Sequence, residues 1–461
     1  MSAPPDLVFD ASIMLEAPMS GIPRVMHAVA GALLDDPAIS VRFCRFDPEH
    51  RTFEEVPSGR IRALVRSAPA ARDRGWGMPA SADPGRVRRA VTRMADATPL
   101  VRDRPATARV LLRGGSYARR AAAEIADLPR AVRADRHRSA GRCFSDTWTQ
   151  HTVFCSLGLD RDQGHAGRLA AQRARLGFRT LLTVYDLIPI VAPQFVNPDD
   201  DHPLVRVPPL PYREHFALVV GSADHLLVIS EATRRDVEEF AGSLDVPCPP
   251  TSLLPLGSTI PRGPGVRPRS LDGAVQPGRF ALSVGTVEIR KNHHLLLDVW
   301  EMLLRERPRT DVPHLVVVGK RGWLFEETHA RLTRTPAFAG TVHHVEDATD
   351  DELAWCYRNA LVTCMPSLSE GWGLPVSESL AVGTPCLTSD TSSLPEAGQG
   401  CTDLLDPYDR TAWRDRILEV WDDPAARERR VARIAERFSD VTVRDTAGAV
   451  LDVVHRLQEQ R

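Results

Sequence analysis

The chain has 461 residues, 43% of them hydrophobic, and a formal net charge of −2. That length predicts two or three domains with ample material for packed cores. The near balance of charge argues against a dedicated nucleic-acid binder, and no stretch approaches the roughly 20 apolar residues of a membrane span.

"MSAPPDLVFDAS" opens without a basic segment or a long apolar core, so no secretory leader is expected. Within it, "DLVFDAS" has a short strand pattern. "MSGIPRVMHAVAGALL" follows as a loop around Gly21 and an amphipathic helix with Pro23 near its first turn. Periodicity is lost over 59–140 apart from Ala/Arg helical stretches, which marks an insertion. Residues 60–142 hold 20 Arg, no Lys and seven acidic residues, a net +13 that leaves −15 for the rest of the chain. Such a segment suits an anionic membrane or a polyanionic acceptor, and equally a solvated Arg/Ala/Pro insertion. Order returns with the strand "HTVFCSLG". The buried strand in "FRTLLTVYDLIPI" ends at Asp186. In "ADHLLVISEATRRDVEEF", a strand over 225–229 leads through Ser230 into a helix over 231–240.

The Pro- and Gly-rich stretch 255–279 predicts a linker at 261–279, between a first domain over 1–260 and a second over 280–435. The second domain alternates strands ("FALSVG", "HLVVVG", "TVHHVE", "ALVTCMP", "PCLTS") with helices ("NHHLLLDVWEMLLRE", "LFEETHARLTR", "TDDELAWCYRN", "VSESLAV"). Residues 436–461 are expected to form a helix packing back on the first domain. The alternation predicts an α/β protein of two Rossmann-like domains, with parallel sheets facing a cleft and ligands at the carboxyl ends of the strands. The eight cysteines form no C-x-x-C pair and read as buried thiols of a reducing compartment, so a cytoplasmic location is expected.

The strongest motif is "CMPSLSEGWGLPVSESLAVG". A strand ends in a loop holding Glu370, Gly371, Trp372, Gly373 and Leu374, Pro375 suits the first helical position, and Gly383 suits the C-terminal cap. Free amides and a positive dipole end beside two glycines make a phosphate cradle. Glu370 precedes the cradle, and Glu378 lies about one turn inside the helix, so both carboxylates can face the cleft and accept from vicinal diols. In "SVGTVEIRKNHHLL" a strand ends at Gly285, Asn292 is an expected N-cap, and Arg290 and Lys291 stand just before the helix. Lys291 and Lys320 are the only lysines among 56 arginines, and both follow strands. A compact point charge is expected there.

"VGTVEIRKNH", "VVVGKRGW", "SEGWGLPVSESLAVGTPCLTSDTSSLPE", "TVYDLIPI" and "VISEATRRD" resemble the retaining glycosyltransferases of family 4, in particular bacterial mannosyl- and related transferases that build O-antigen or exopolysaccharide. The resemblance covers about 150–460 well and the first 30 residues moderately, and it implies the GT-B fold. It also implies that Glu370 holds donor sugar hydroxyls and Glu378 the ribose. The amides around Gly371, Trp372, Gly373 and Leu374 would line the sugar–phosphate loop, and Arg290 and Lys291 would neutralise the diphosphate. Gly21 would approach the donor from the other domain, and Val345, opening "VEDA", would run beside the base. Two departures stand out. Tyr185 precedes Asp186 where many relatives carry His, and Thr286 follows Gly285 where some carry Arg, which shifts phosphate charge onto Arg290, Lys291 and Lys320.

The expected chemistry is front-face retaining transfer in which fixed cations serve in place of a metal and no cofactor is required. "NPDDDHP" reads as a solvated loop. The pairs His293–His294 and His343–His344 lack ligand spacing, and Trp323 reads as packing. Mannose from GDP-mannose to a lipid-linked or polysaccharide acceptor is the leading reading. dTDP-rhamnose, UDP-sugars and GDP-fucose stay open as donors, and an epimerase or a non-catalytic glycan- or nucleotide-sugar-binding protein stays open as a class. No G-x-G-x-x-G follows a strand, which disfavours a generic dinucleotide-binding protein.

Overall fold

In the computed structural model the described residues are 6–16, 21–37, 39–48, 50–72, 143–158, 165–196, 211–258, 260–261, 263–322 and 325–459. The account concerns the compact unit formed by residues 1–75 and 144–461. Trp323, "NPDDDHP" and the Arg-rich insertion beyond the helix Ser58–Arg72 lie outside the described residues.

The first half is a seven-stranded sheet in the order β3-β2-β1-β4-β5-β6-β7. Its strands are β1 (Asp6–Asp10), β2 (Ser40–Asp47), β3 (Thr52–Val56), β4 (Thr152–Ser156), β5 (Arg179–Val184), β6 (His225–Val228) and β7 (Thr251–Leu253). The central strands are continuous apolar runs because helices cover both faces; Leu7, Val8 and Phe9 are all fully buried. The expectation of a wholly parallel sheet fails at one edge, where β3 pairs antiparallel with β2. The sequence pattern hides this hairpin. Arg42 and Arg45 interrupt the apolar run of β2, and they are neutralised by Asp6 at 2.8 Å and Glu54 at 2.7 Å.

The second half is a six-stranded, all-parallel sheet in the order β10-β9-β8-β11-β12-β13. Its strands are β8 (Phe280–Val284), β9 (His314–Val318), β10 (Val342–Val345), β11 (Val362–Met365), β12 (Cys386–Ser389) and β13 (Asp403–Leu405). The segment read as a linker at 261–279 is packed into this half. Leu271 and Val275 are fully buried beside Phe280 and Trp355, and Arg267 lies over the Trp355 ring at 4.8 Å. Its Pro and Gly residues shape an extended path, and a few buried side chains are enough to hold it there.

After the helix Pro424–Arg437 closes the second half, the chain returns. The helix Val443–Glu459 places Ala447, Val450, Val453, Val454 and Leu457 in one cluster with Leu7, Met26, Val29 and Leu33 of the first half. Their spacing is that of a single helical stripe. The two crossings between halves touch. A Cβ on Gly257 would lie 1.8 Å from the Val441 carbonyl oxygen, and the Thr446 hydroxyl donates to the Pro255 carbonyl at 2.8 Å. Gly257→Ala therefore forces a backbone shift, and a loss of about 1–3 kcal/mol is expected in denaturant unfolding.

Candidate active site

The carboxyl ends of β8, β9 and β10 lie side by side, and each leads into a short loop. Gly285 ends the first, and a Cβ there would meet the Lys291 side chain at 3.2 Å. Thr286 is exposed beside it, and the Val287 amide donates to the Lys320 carbonyl at 2.7 Å. Val345, the last residue of β10, accepts from the Gly319 amide at 3.0 Å. A turn of 3-10 helix, Ile289–Lys291, then presents Arg290 and Lys291 ahead of the helix His293–Glu306. Asn292 differs from its expected role. It adopts φ 53° and ψ 37°, makes no side-chain cap, and its side-chain Nδ2 donates to the carbonyls of Pro366 at 3.1 Å and Pro407 at 2.9 Å. It ties the cationic turn to the neighbouring strand ends.

Those cations converge on Glu370. Lys291 Nζ donates to Glu370 Oε1 at 2.5 Å, and Arg290 Nη1 donates to Oε2 at 2.7 Å. Arg290 also reaches the Ser369 carbonyl and Glu288, each at 2.7 Å. Burial pushes the Glu370 carboxyl up, but the Lys291 and Arg290 charges and hydrogen bonds prevail and hold it at about 2. The neighbouring His293 is buried, with no partner on either ring nitrogen among the described residues. Burial, reinforced by the Lys291 charge, lowers it to about 3, so it adds no charge to the cluster.

Asp186 comes from the first half. Burial raises its pKa, and the charges of Arg290, Glu370 and Lys291 all act on it, so the four groups share one electrostatic site. Asp186 Oδ1 accepts from the Ile188 amide at 3.0 Å. The halves meet here through Gly371, where a Cβ would lie 2.4 Å from the Tyr185 carbonyl oxygen and 3.1 Å from Asp186 Cβ. Only glycine permits that approach. The Tyr185 ring packs on the first-half core, and its hydroxyl has no partner among the described residues.

Gly373, at φ 102°, is the N-cap of the helix Leu374–Ala381, which places Pro375 at the second helical position, one later than expected. Trp372 and Leu374 pack against the first-half core, and Trp372 Nε1 donates to Ser377 Oγ at 3.0 Å, so the indole serves packing. Glu378 is buried inside this helix, and Tyr357 donates its hydroxyl to Glu378 Oε2 at 2.7 Å. Burial and then the Glu378 charge push that phenol well above its ordinary pKa, so it stays a donor. Gly21 opens the helix Gly21–Asp35 on the carboxyl side of β1.

The sequence reading passed over Tyr357, Glu288, Ser392, Ser393 and Glu396. Ser392 Oγ accepts from the Glu370 amide at 2.8 Å, and Ser393 Oγ donates to the Glu370 and Trp372 carbonyls at 2.9 Å. Glu396 accepts from the Glu231 and Ala232 amides of the first half at 2.7 and 2.8 Å. Their string, "DTSSLPE", closes the stretch that carries the family resemblance, but it has no charge pattern that reveals these long-range partners. Among the described residues no cluster of His, Cys, Asp and Glu is built to hold a metal ion, and no helix is long and apolar enough to cross a membrane. The eight cysteines are unbridged.

Two α/β halves built on largely parallel sheets have the GT-B fold. Residues 273–437 match the family Glycosyl transferases group 1. The chain is 28% identical to the O-antigen chain mannosyltransferase B of Escherichia coli over 256 residues, 55% of this chain and 64% of the relative. It is 29% identical to the D-inositol 3-phosphate glycosyltransferase of Kineococcus radiotolerans over 261 residues, 53% of this chain and 59% of the relative. It thus spans less than two thirds of these curated relatives. In fold it resembles the sucrose-phosphate synthase of Thermosynechococcus elongatus, with a TM-score of 0.57 at 16% identity over the whole of both chains. It also resembles Anabaena HepE in complex with UDP and glucose, with a TM-score of 0.56 at 12% identity over 98% of this chain and 99% of the other.

The Glu370 carboxylate has a pH signature. A folded pKa below the ordinary value contributes stability that is present above pH 4.5 and is lost as pH falls toward about 2. Glu370→Gln removes the carboxylate that pairs Lys291 and leaves Arg290 with Glu288 alone, and it is expected to cost about 3–5 kcal/mol at pH 7. In urea unfolding, the gap between wild type and variant should narrow as pH falls from about 4.5 toward 2. A gap independent of pH would contradict the charge assignment.

Proposed function

We propose that the protein is a retaining glycosyltransferase of family 4 type that moves a hexose from a nucleotide-sugar to a lipid-linked or polysaccharide acceptor, with mannose from GDP-mannose as the first donor to test. The observation that carries this reading is the buried Glu370–Lys291–Arg290 cluster, set at the carboxyl ends of the second sheet and facing Asp186. The mannosyltransferase relative supports the choice of sugar, and the UDP complex of HepE supports the choice of ligand class.

The chemistry follows from these charges. The donor diphosphate draws Arg290 and Lys291, and Glu370 then turns its oxygens to the sugar hydroxyls. Because the site is already desolvated, the cations act at low effective dielectric on the charge that develops as the anomeric C–O bond breaks. The departing phosphate oxygen takes the acceptor hydroxyl proton while the acceptor oxygen bonds to the anomeric carbon on the same face. Atoms balance as nucleoside diphosphate plus glycosylated acceptor, with no protein nucleophile. Glu378, oriented by Tyr357, is placed to accept from the ribose diol. Asp186, its pKa raised by burial, faces the acceptor side. The reaction needs no metal or other cofactor, since fixed cations neutralise the leaving group.

A thermal-shift screen with GDP-, UDP-, dTDP- and ADP-sugars identifies the donor, because ligand binding raises apparent stability by mass action. Acceptor-dependent release of nucleoside diphosphate then distinguishes transfer from epimerisation and from binding alone. Lys291→Ala is expected to lower turnover by roughly 100-fold or more, the scale of losing one preorganised electrostatic group. Tyr357→Phe is expected to weaken nucleotide binding roughly 10-fold, the scale of one hydrogen bond to a charged group. Failure of every nucleotide-sugar to shift the melting temperature would overturn the reading.

A further inference from the structure

We propose that Glu396 is a positioning residue: a carboxylate of the second half that docks on a helix start of the first half and thereby fixes the approach of Asp186 to Glu370. The proposal rests on the reading of this cleft as a donor–acceptor site.

The helix Glu231–Ser243 begins with amides that have no intrahelical acceptor. Its N-cap, Ser230, accepts from the Thr233 amide at 3.0 Å. The Glu231 and Ala232 amides remain, and they lie at the end of the helix that favours negative charge. Glu396 supplies that charge from across the cleft, with one carboxylate oxygen on each amide. Charge-assisted bonds of this kind are short and strong, and a two-point contact fixes orientation as well as distance.

Both ends of the contact are wired to the active site. Glu396 sits in the short helix Leu394–Gly398, whose N-cap Ser393 holds the Glu370 and Trp372 carbonyls. The carboxylate that docks and the loop that carries Glu370 therefore move together. On the other side, Thr233 Oγ1 donates to the Tyr185 carbonyl at 3.3 Å and to the Gly371 carbonyl at 3.5 Å. The helix start that receives Glu396 is thereby attached to the residue next to Asp186. The Asp186–Glu370 approach combines residues of two sheets, and Glu396 adds an anion-on-helix contact that fixes its geometry. Of the residues assigned to the donor, only Gly21 lies in the first half; Glu378, Lys291 and the others lie in the second half, and their grip on the nucleotide does not depend on this docking.

The test compares wild type with Glu396→Ala and Glu396→Gln, the second keeping the side-chain shape and one acceptor oxygen. Amide hydrogen exchange is read at 229–234, GDP and UDP binding by calorimetry, and turnover with the donor found in the screen. In Glu396→Ala, exchange at the Glu231 and Ala232 amides is expected to quicken at least about 10-fold, with GDP or UDP affinity within about twofold of wild type. Turnover is expected to fall about 10-fold or more, with the donor KM within roughly threefold, as for a residue that aligns reacting groups. Glu396→Gln is expected to fall between, and it carries the test if the alanine variant does not fold. Unchanged exchange, unchanged turnover, or nucleotide affinity falling in step with turnover would each overturn the proposal. If wild type turns over no nucleotide-sugar, the transfer reading fails by itself, and the exchange rates still decide whether Glu396 latches the halves.

Discussion

A carboxylate buried between two cations is the constraint on which this structure turns. Glu370 is almost removed from water, and so are its partners; their side chains are 8%, 11% and 18% exposed for Glu370, Lys291 and Arg290. Desolvating three charges is unfavourable unless each is met by another at hydrogen-bond distance. That requirement shapes the surroundings. The turn after β8 carries both cations, Asn292 takes a left-handed conformation to anchor that turn, and Ser392 and Ser393 hold the loop that carries the acid. Groups held this way are already placed for a charged ligand, so little reorganisation is left for the moment of reaction.

The site also depends on two chain segments coming close without side chains between them. Gly371 lets the loop of the second half touch the Tyr185 carbonyl, and Trp372 and Leu374 seal that contact with apolar surface on the first-half core. The first half contributes Asp186 and the helix start beside it, while the second half contributes the cations and both glutamates. Neither half alone presents the full set. This division fits a reaction in which one partner is held firmly on one side and the other is presented from across a cleft.

Much of this was legible in the sequence because the chemistry is local. "SEGWGLPVSES" and "EIRKNH" each place charge beside a strand end, and strand–helix alternation places both at the carboxyl edge of a parallel sheet. The parts that were not legible depend on non-local pairing. The β2–β3 hairpin contains Arg42, Arg45 and Glu54, whose charges look solvent-directed until their partners are known. The packed course of 261–279 rests on Leu271 and Val275, two apolar residues in a Pro/Gly-rich stretch. Tyr357 reads as an ordinary residue on a buried helix face, and only the fold brings its hydroxyl to Glu378. Glu396 was missed for the same reason, since its acceptor role depends on amides 165 and 164 positions away.

The return of the helix Val443–Glu459 has a consequence for biosynthesis. Five of its apolar side chains complete the interior that Leu7, Met26 and Leu33 begin. Domains ordinarily fold in the order in which they leave the ribosome. Here the half made first must wait for a wall that is synthesised after the entire second half. Until that helix emerges, the surface of helix Gly21–Asp35 that it covers has no partner, so the nascent chain passes through a stage at which a chaperone or a premature stop would find the first half unfinished.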